Sequence, residues 1–238
     1  VNRVPVITCK SAGNPAGKIA GIFAASNMPP GDSPADQQTH STPGQRMSDA
    51  LTFFRTFIRR PIQVGAVLPS SNRLAEMMVQ GVDWDAAKAV IEYGPGTGVF
   101  TERITRSLRP GTKFFAIERS PEFAALTRSR CPGVSVHEGS VANVEAFCRQ
   151  EGVDKVDAIL CGLPWAAFPD SLQDECFGAM LNVLRPGGHF STFAYWQGVI
   201  LPAGRRFAKR LHSTFSEVKQ SPTVWANVPP AFVYRCRL

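Results

Sequence analysis

No apolar run in this 238-residue chain approaches the roughly 20 residues needed to cross a bilayer, which argues against a membrane-spanning helix within it and points to a soluble or peripheral protein. Cysteines are few and scattered. Cys9, Cys131, Cys148, Cys161, Cys176 and Cys236 include no C-x-x-C pair, so neither a zinc site nor a disulfide framework is indicated, and the reduced thiols of a cytoplasmic protein are expected. The four histidines, His40, His137, His189 and His212, stand in no ligand spacing either, and no metal is expected. Acidic residues are the scarcer charge: 19 Asp and Glu face 26 Lys and Arg, and the net charge of +7 favours an anionic partner, nucleic acid or an acidic lipid surface. No internal repeat and no convincing second domain can be read.

Composition changes along the chain. Residues 1–46 are rich in Gly, Pro, Ser, Asn and Asp without periodicity and are expected to be disordered; the apolar core of residues 18–25 is too small to read as a signal peptide. An amphipathic helix is expected over 47–61, capped by Ser48 and ended by Pro61, with Leu51, Phe54, Phe57 and Ile58 on one face and Arg55, Arg59 and Arg60 elsewhere. Large aromatics opposite arginines suit a helix lying in a membrane interface, and an ordinary helix packed on the domain reads equally well. Residues 62–238 form the main domain.

In that domain strands are predicted near 88–93, 113–118, 133–137, 155–161 and 188–195, and helices near 98–108, 121–130, 141–150, 171–184 and 203–212. Regular alternation of this kind implies an α/β fold with a parallel sheet covered by helices on both faces. Residues 215–224 and 231–237 read as a closing pair of strands joined by a proline-containing turn.

The clearest local signal is Val90-Ile91-Glu92-Tyr93-Gly94-Pro95-Gly96-Thr97-Gly98, an apolar strand, an acid and three alternate glycines before a helix. Glycines allow the positive φ of such a turn and the close approach of a ligand to the backbone. Dinucleotide sites favour G-x-G-x-x-G, with a pyrophosphate on the helix N-terminus. Here the spacing is G-x-G-x-G, and Glu92 would repel a pyrophosphate but welcome an ammonium group. The next strand ends in Glu118, twenty residues after Gly98, where a carboxylate can accept hydrogen bonds from both hydroxyls of a ribose. A glycine turn of some unrelated α/β protein, with Glu118 merely solvated, is the competing reading.

The pattern of residues 90–98 resembles motif I of class I S-adenosylmethionine (SAM) methyltransferases. The likeness implies a Rossmann-like, seven-stranded sheet, mostly parallel with a C-terminal antiparallel hairpin. It also implies a SAM site built from Glu92, Tyr93, Gly94, Pro95, Gly96, Thr97 and Gly98, with Glu118 and Arg119, Gly139, Ser140 and Val141, and Gly162 at the following strand ends. Ser140 stands where many relatives carry an Asp that holds the adenine amino group. Gly162-Leu163-Pro164-Trp165 resembles in part the N/D-P-P-Y/F motif of amino-group methyltransferases, in which backbone carbonyls orient a nitrogen beside an aromatic ring. Leu163 and Trp165 are therefore catalytic candidates, with Tyr195, at the end of the fifth strand, to orient the amine or relay its proton; a tight turn with a core Trp and a satisfied core Tyr are the plainer readings. Leu184-Arg185-Pro186-Gly187-Gly188 resembles the helix-to-strand turn of the same fold.

Three further pieces extend the likeness across residues 51–237: the aromatic-arginine helix with Gly65-Ala66-Val67-Leu68-Pro69-Ser70-Ser71, then Gly162-Leu163-Pro164, then Val224-Trp225-Ala226-Asn227-Val228-Pro229-Pro230-Ala231. Together they are similar to the bacterial phospholipid N-methyltransferases of the soluble class I type, related in pattern to rRNA adenine dimethylases. The resemblance implies methylation of phosphatidylethanolamine toward phosphatidylcholine by an enzyme held peripherally on the inner face of the cytoplasmic membrane, with an anionic membrane surface as partner. It implies that Ser70, Ser71, Tyr195, Trp225 and Asn227 contact the substrate. An rRNA adenine dimethylase lacking the full aromatic motif is the alternative, and a non-catalytic SAM-binding protein is a third.

Overall fold

The computed structural model describes residues 69–238. The disordered segment expected over 1–46, the interfacial helix expected over 47–61 and residues 62–68 lie outside the described residues. Within them the chain alternates α1 (Pro69–Val79), β1 (Ala89–Tyr93), α2 (Val99–Ser107), β2 (Lys113–Glu118), α3 (Pro121–Arg130), β3 (Ser135–Glu138), α4 (Val144–Glu151), β4 (Val156–Cys161), α5 (Asp170–Val183), β5 (Leu184–Tyr195), α6 (Trp196–Ile200), α7 (Pro202–Thr214), β6 (Glu217–Gln220) and β7 (Ala231–Arg237). The seven strands form one sheet in the order β3-β2-β1-β4-β5-β7-β6. The first five strands run parallel, while β7 is antiparallel to both β5 and β6, as the sequence leads one to expect. The chain order reverses beside β1, where β1 lies between β2 and β4, and in an open α/β sheet that reversal places the ligand crevice at the carboxyl ends of those strands.

Alternation along β1 shows how sequence becomes layers. Ala89, Ile91 and Tyr93 face one side and pack with Ile117, Ile159 and Phe190 against α4, α5 and α7, through Val144, Met180, Phe177 and Leu211. Val90 faces the other side with Leu160 and Val233, against Leu74 and Met78 of α1 and Ile104 of α2. A strand covered on both faces reads as a continuous apolar run because alternate residues are buried by different layers. Full burial of each large side chain contributes about 1.5–3 kcal/mol, so the two layers account for most of the drive to fold.

Two elements depart from expectation. The turn predicted at Leu184 to Gly188 is part of β5: pairing with β4 jumps from Val156↔Leu184 to Ala158↔His189, so Arg185 to Gly188 bulge out of a continuous strand. Pro186 cannot donate to a ladder, and the bulge is closed instead by Gly187 N–H to Leu238 O (2.9 Å) and Leu238 N–H to Gly188 O (3.0 Å). Arg185 Nε also donates to Asp157 Oδ1 at 2.5 Å, while Asp157 Oδ2 accepts from Lys88 N–H and Ala89 N–H. Burial pushes the Asp157 carboxyl up, but those two N–H groups and the Arg185 guanidinium outweigh it and hold it below the usual carboxylate range. The second departure is β6, which spans only Glu217–Gln220 and is continued by an isolated bridge from Val224 to Ala231.

Candidate active site

The ends of β1, β2, β3 and β4 converge through backbone hydrogen bonds between neighbouring loops. Gly94 N–H reaches Ile117 O at 2.9 Å, Gly139 N–H reaches Glu118 O at 2.9 Å, and Gly162 N–H reaches Tyr93 O at 2.7 Å. Gly94, Gly96 and Gly98 all have positive φ, between 57° and 79°, so the loop takes a path that side chains would strain. Gly162 is needed for another reason: a Cβ there would lie 2.6 Å from Gly94 O, where the two loops approach backbone to backbone. These loops therefore present bare backbone, the requirement for close ligand approach.

Two carboxylates flank the glycine loop, and burial makes them different. Glu118 is anchored, its Oε2 accepting from Gly96 N–H at 3.1 Å and its Oε1 from Ser120 N–H at 2.9 Å. Glu92 is only 1% exposed, and neither of its oxygens has a hydrogen-bond partner among the described residues. Desolvation pushes its pKa up to about 8, the Thr101 hydroxyl, nearby but outside hydrogen-bond geometry, opposing and the Glu118 charge adding to the rise. A buried carboxylate without a partner is costly, and a cation seated beside it would remove that cost.

What the sequence reading missed is the grip of α3 on the loop. Thr127 Oγ1 donates to Gly96 O at 3.0 Å, an Arg130 guanidinium nitrogen donates to Thr97 O at 3.0 Å, and Cys131 Sγ lies 4.0 Å from Gly98 O. Arg130 Nε also reaches Glu102 Oε2 of α2 at 3.3 Å. The three contacts fall at i, i+3 and i+4, the spacing that puts residues on one helical face. That spacing was visible in the sequence, but nothing local says that the face meets the glycine turn.

Several expected residues stand elsewhere than their assigned roles suggest. Tyr93 contributes backbone; its side chain is fully buried in the core, as Pro95 is buried beneath the loop. Arg119 is exposed just beyond Glu118. Ser140 Oγ accepts from Ala142 N–H at 3.2 Å and so caps the short turn Val141–Asn143, and Val141 is buried. Leu163 leans on Gly94, and its carbonyl accepts from Trp165 N–H at 3.0 Å. Trp165 is corrected outright: it is 2% exposed, stacked on Phe207 (5.7 Å, 13°) and edge-on to Phe177 (4.9 Å), so its indole faces are covered by core rings. Removing so large a side chain costs about 3–5 kcal/mol of stability, a structural effect.

Tyr195 closes β5 at the carboxyl end that it shares with β1 and β4, edge-on to Phe193 at 5.4 Å. Burial drives its phenol pKa well above the ordinary value, so it remains a neutral hydrogen-bonding group and not a phenolate base. Asn227 is 8% exposed and spends its amide on Pro229 O at 2.6 Å, shaping the loop after Val224. Trp225 is 67% exposed on the rim. Ser70 and Ser71 fall in the first turn of α1. Among the described residues no cluster of His, Cys, Asp and Glu could hold a metal, and Cys131, Cys148, Cys161, Cys176 and Cys236 are buried and form no disulfide.

A family model described as a methyltransferase domain matches residues 90–188, the span from β1 into β5. Over 194 residues the chain is 31% identical to an ornithine lipid N-methyltransferase of Singulisphaera acidiphila, covering 80% of this chain and 97% of that protein. The chain belongs to the class I SAM-dependent methyltransferases. Solved structures agree on the fold. The O-methyltransferase TomG of Streptomyces achromogenes, in complex with SAM, aligns with a TM-score of 0.56 at 19% identity, over 84% of this chain and 92% of that one. The N-methyltransferase NodS of Bradyrhizobium japonicum aligns with a TM-score of 0.57 at 14% identity, over 71% and 96% of the two chains.

The residues of this methyltransferase fit SAM. The unpartnered Glu92 carboxylate would suit the ammonium of the methionine moiety, the bare glycine loops would admit its close approach, and Glu118, bonded to Gly96 at the end of β2, would be the acceptor for its ribose. Glu118→Ala should weaken SAM binding by about 10-fold to 100-fold, since it removes both a ribose acceptor and the bond that holds Gly96. Isothermal titration with SAM measures this, and unchanged affinity would remove the ribose role.

Proposed function

We propose that this methyltransferase transfers methyl groups to the amine nitrogen of a membrane lipid headgroup. The observation that carries this reading is the kinship with an ornithine lipid N-methyltransferase over 194 residues and 97% of that protein's length, a span well beyond the methyltransferase-domain match of residues 90–188. Phosphatidylethanolamine, implied by the sequence resemblance, and an ornithine-type lipid both carry a primary amine on the headgroup of an acylated lipid, and both are candidates within the proposal.

SAM, when bound, supplies an electrophilic methyl group on a sulfonium centre. The chain's own work is alignment and exclusion of water, which supply most of the rate in a direct displacement. A lipid amine is mostly protonated near neutral pH and becomes a nucleophile only after losing that proton. Tyr195 is the residue assigned to this step: its neutral phenol can accept a hydrogen bond from the amine and hold the nitrogen lone pair toward the donor. The proton itself leaves to solvent, because a phenol with a raised pKa is no base. The Leu163 carbonyl, two residues past the end of β4, already accepts from Trp165 N–H and offers its remaining lone pair as a second acceptor.

The test is an incorporation assay. Purified protein and methyl-labelled SAM are given vesicles of phosphatidylethanolamine, of ornithine lipid, or of phosphatidylglycerol alone, and separately an rRNA transcript. Label is expected in one or both amine lipids and not in phosphatidylglycerol. Label in the transcript and none in lipid would replace this reading by the rRNA alternative.

A further inference from the structure

Among the described residues, the strongly exposed large apolar side chains are Trp196 (48%), Ile200 (53%), Leu201 (60%), Trp225 (67%) and Val228 (75%). They come from two stretches of chain that the fold joins. Trp196 and Trp225 lie with ring centroids 6.1 Å apart, and Trp196 N–H donates to Pro230 O at 2.9 Å. The patch begins at the residue after Tyr195, so it borders the mouth of the site. Its scaffold is firm: α6 rests on Gly204 of α7, where a Cβ would meet Gly198 O at 2.2 Å, and Asn227 braces the other stretch through Pro229.

The chain that builds this side is mostly basic, although Asp170 and Asp174 of α5 face α7 and Asp174 pairs with Arg210 at 2.6 Å. From residue 176 to 238 the chain carries eight Lys and Arg but a single acid, Glu217, so this quarter alone holds a net +7, equal to that of the whole chain. Arg205, Arg206 and Lys209 are exposed on α7, and Arg205 N–H bonds back to Leu201 O, one turn from the apolar rim. Arg206 faces Asp170 at only 3.7 Å on an exposed surface, a pairing too weak to cancel it. Glu217 lies at the far end of β6 and pairs there with Lys219.

We infer that this rim, Trp196, Ile200, Leu201, Trp225 and Val228 backed by the basic start of α7, inserts into an anionic membrane surface and sets the mouth of the site against the lipid headgroups. Tryptophans sit at the headgroup level of bilayers, aliphatic side chains reach past it, and cations just behind them meet the anionic surface. A polar protein partner would not call for five apolar side chains, and nucleic acid would not call for aliphatics at all. The inference rests on the proposed lipid substrate for its purpose but not for its test, and it assigns the contact to the folded domain, apart from any helix before residue 69.

The experiment measures binding without turnover. Full-length protein and the variant Ile200→Ser with Leu201→Ser are mixed with vesicles of phosphatidylglycerol and phosphatidylcholine, which carry no primary amine, and with the same vesicles brominated in the acyl chains. Serine is a good cap for α7, so the variant should fold, and unchanged SAM affinity by titration checks this. Wild-type tryptophan emission is expected to shift to the blue and be quenched by the bromines, through Trp196 and Trp225, because Trp165 is buried and Trp84 is bonded to Val79 O on the domain. The variant should bind about tenfold more weakly or worse, with both signals reduced. Equal binding by the variant, or binding without quenching, overturns the inference. So does a wild-type dimer that the variant turns into a monomer in sedimentation without lipid, which would make the rim a subunit contact. Insertion with no lipid methylation in the incorporation assay would instead leave the rim standing and reject the substrate.

Discussion

Glu92→Gln should free the protein of a stability loss that the wild type suffers as pH rises. The folded pKa of Glu92 is about 8 against an ordinary value of 4.5, so the folded protein binds the extra proton between those limits. Stability is therefore greatest below pH 4.5 as far as this group is concerned, declines through the interval, and levels off above pH 8. A shift of that size corresponds to a loss on the order of a few kcal/mol. In the glutamine variant the slope should vanish, and thermal melts from pH 5 to 9 without ligand read the difference. The same protonation controls the cofactor. Near pH 7 the carboxyl is mostly neutral, and a cation beside it must drive the proton off, so SAM affinity should rise with pH up to about 8 and binding should release protons. Titration calorimetry in buffers of different ionisation enthalpy counts them. Glu92→Gln should bind SAM about 10-fold to 100-fold more weakly and release none; a variant as tight as wild type, with the same proton release, would show that the ammonium sits elsewhere.

Gly162→Ala should abolish SAM binding, lowering affinity and turnover by more than about 100-fold, although the change adds one methyl group. The new Cβ would stand 2.6 Å from Gly94 O, a backbone atom that cannot swing aside as a side chain could. Gly94 is fixed in turn by Ile117 O and by its positive φ of 66°, so the clash is relieved only by moving the glycine loop. The proper control is Gly178→Ala in α5, where an added Cβ meets nothing within 4 Å and helix propensity predicts a gain of about 0.5–1 kcal/mol. If Gly162→Ala binds SAM normally while circular dichroism and melting are unchanged, the two loops do not define the pocket.

Much of this protein is legible in its sequence because the signals are local. Glycines on alternate positions after an apolar strand, an acid closing the next strand and the βα rhythm depend on near neighbours in sequence, and they placed the glycine turn, Glu92 and Glu118 at the ends of adjacent strands. The residues that were misread share the opposite property. Trp165 stands four residues beyond the last strand pair, and its direction is set by Phe177 and Phe207 from helices later in the chain. Thr127 and Arg130 matter because α3 packs on a turn thirty residues earlier, which their own helix does not announce.

The sequence by itself determined the class of fold, the order of its elements and the chemistry offered at the strand ends, since strand periodicity and turn residues act over a few positions. Only the tertiary structure decided that Glu92 is sealed from water and from partners, that Trp165 belongs to the core, and that Trp196 and Trp225, twenty-nine positions apart, share one exposed rim. Burial and its electrostatic consequences depend on which distant segments arrive around a side chain, and that is a property of the packed layers.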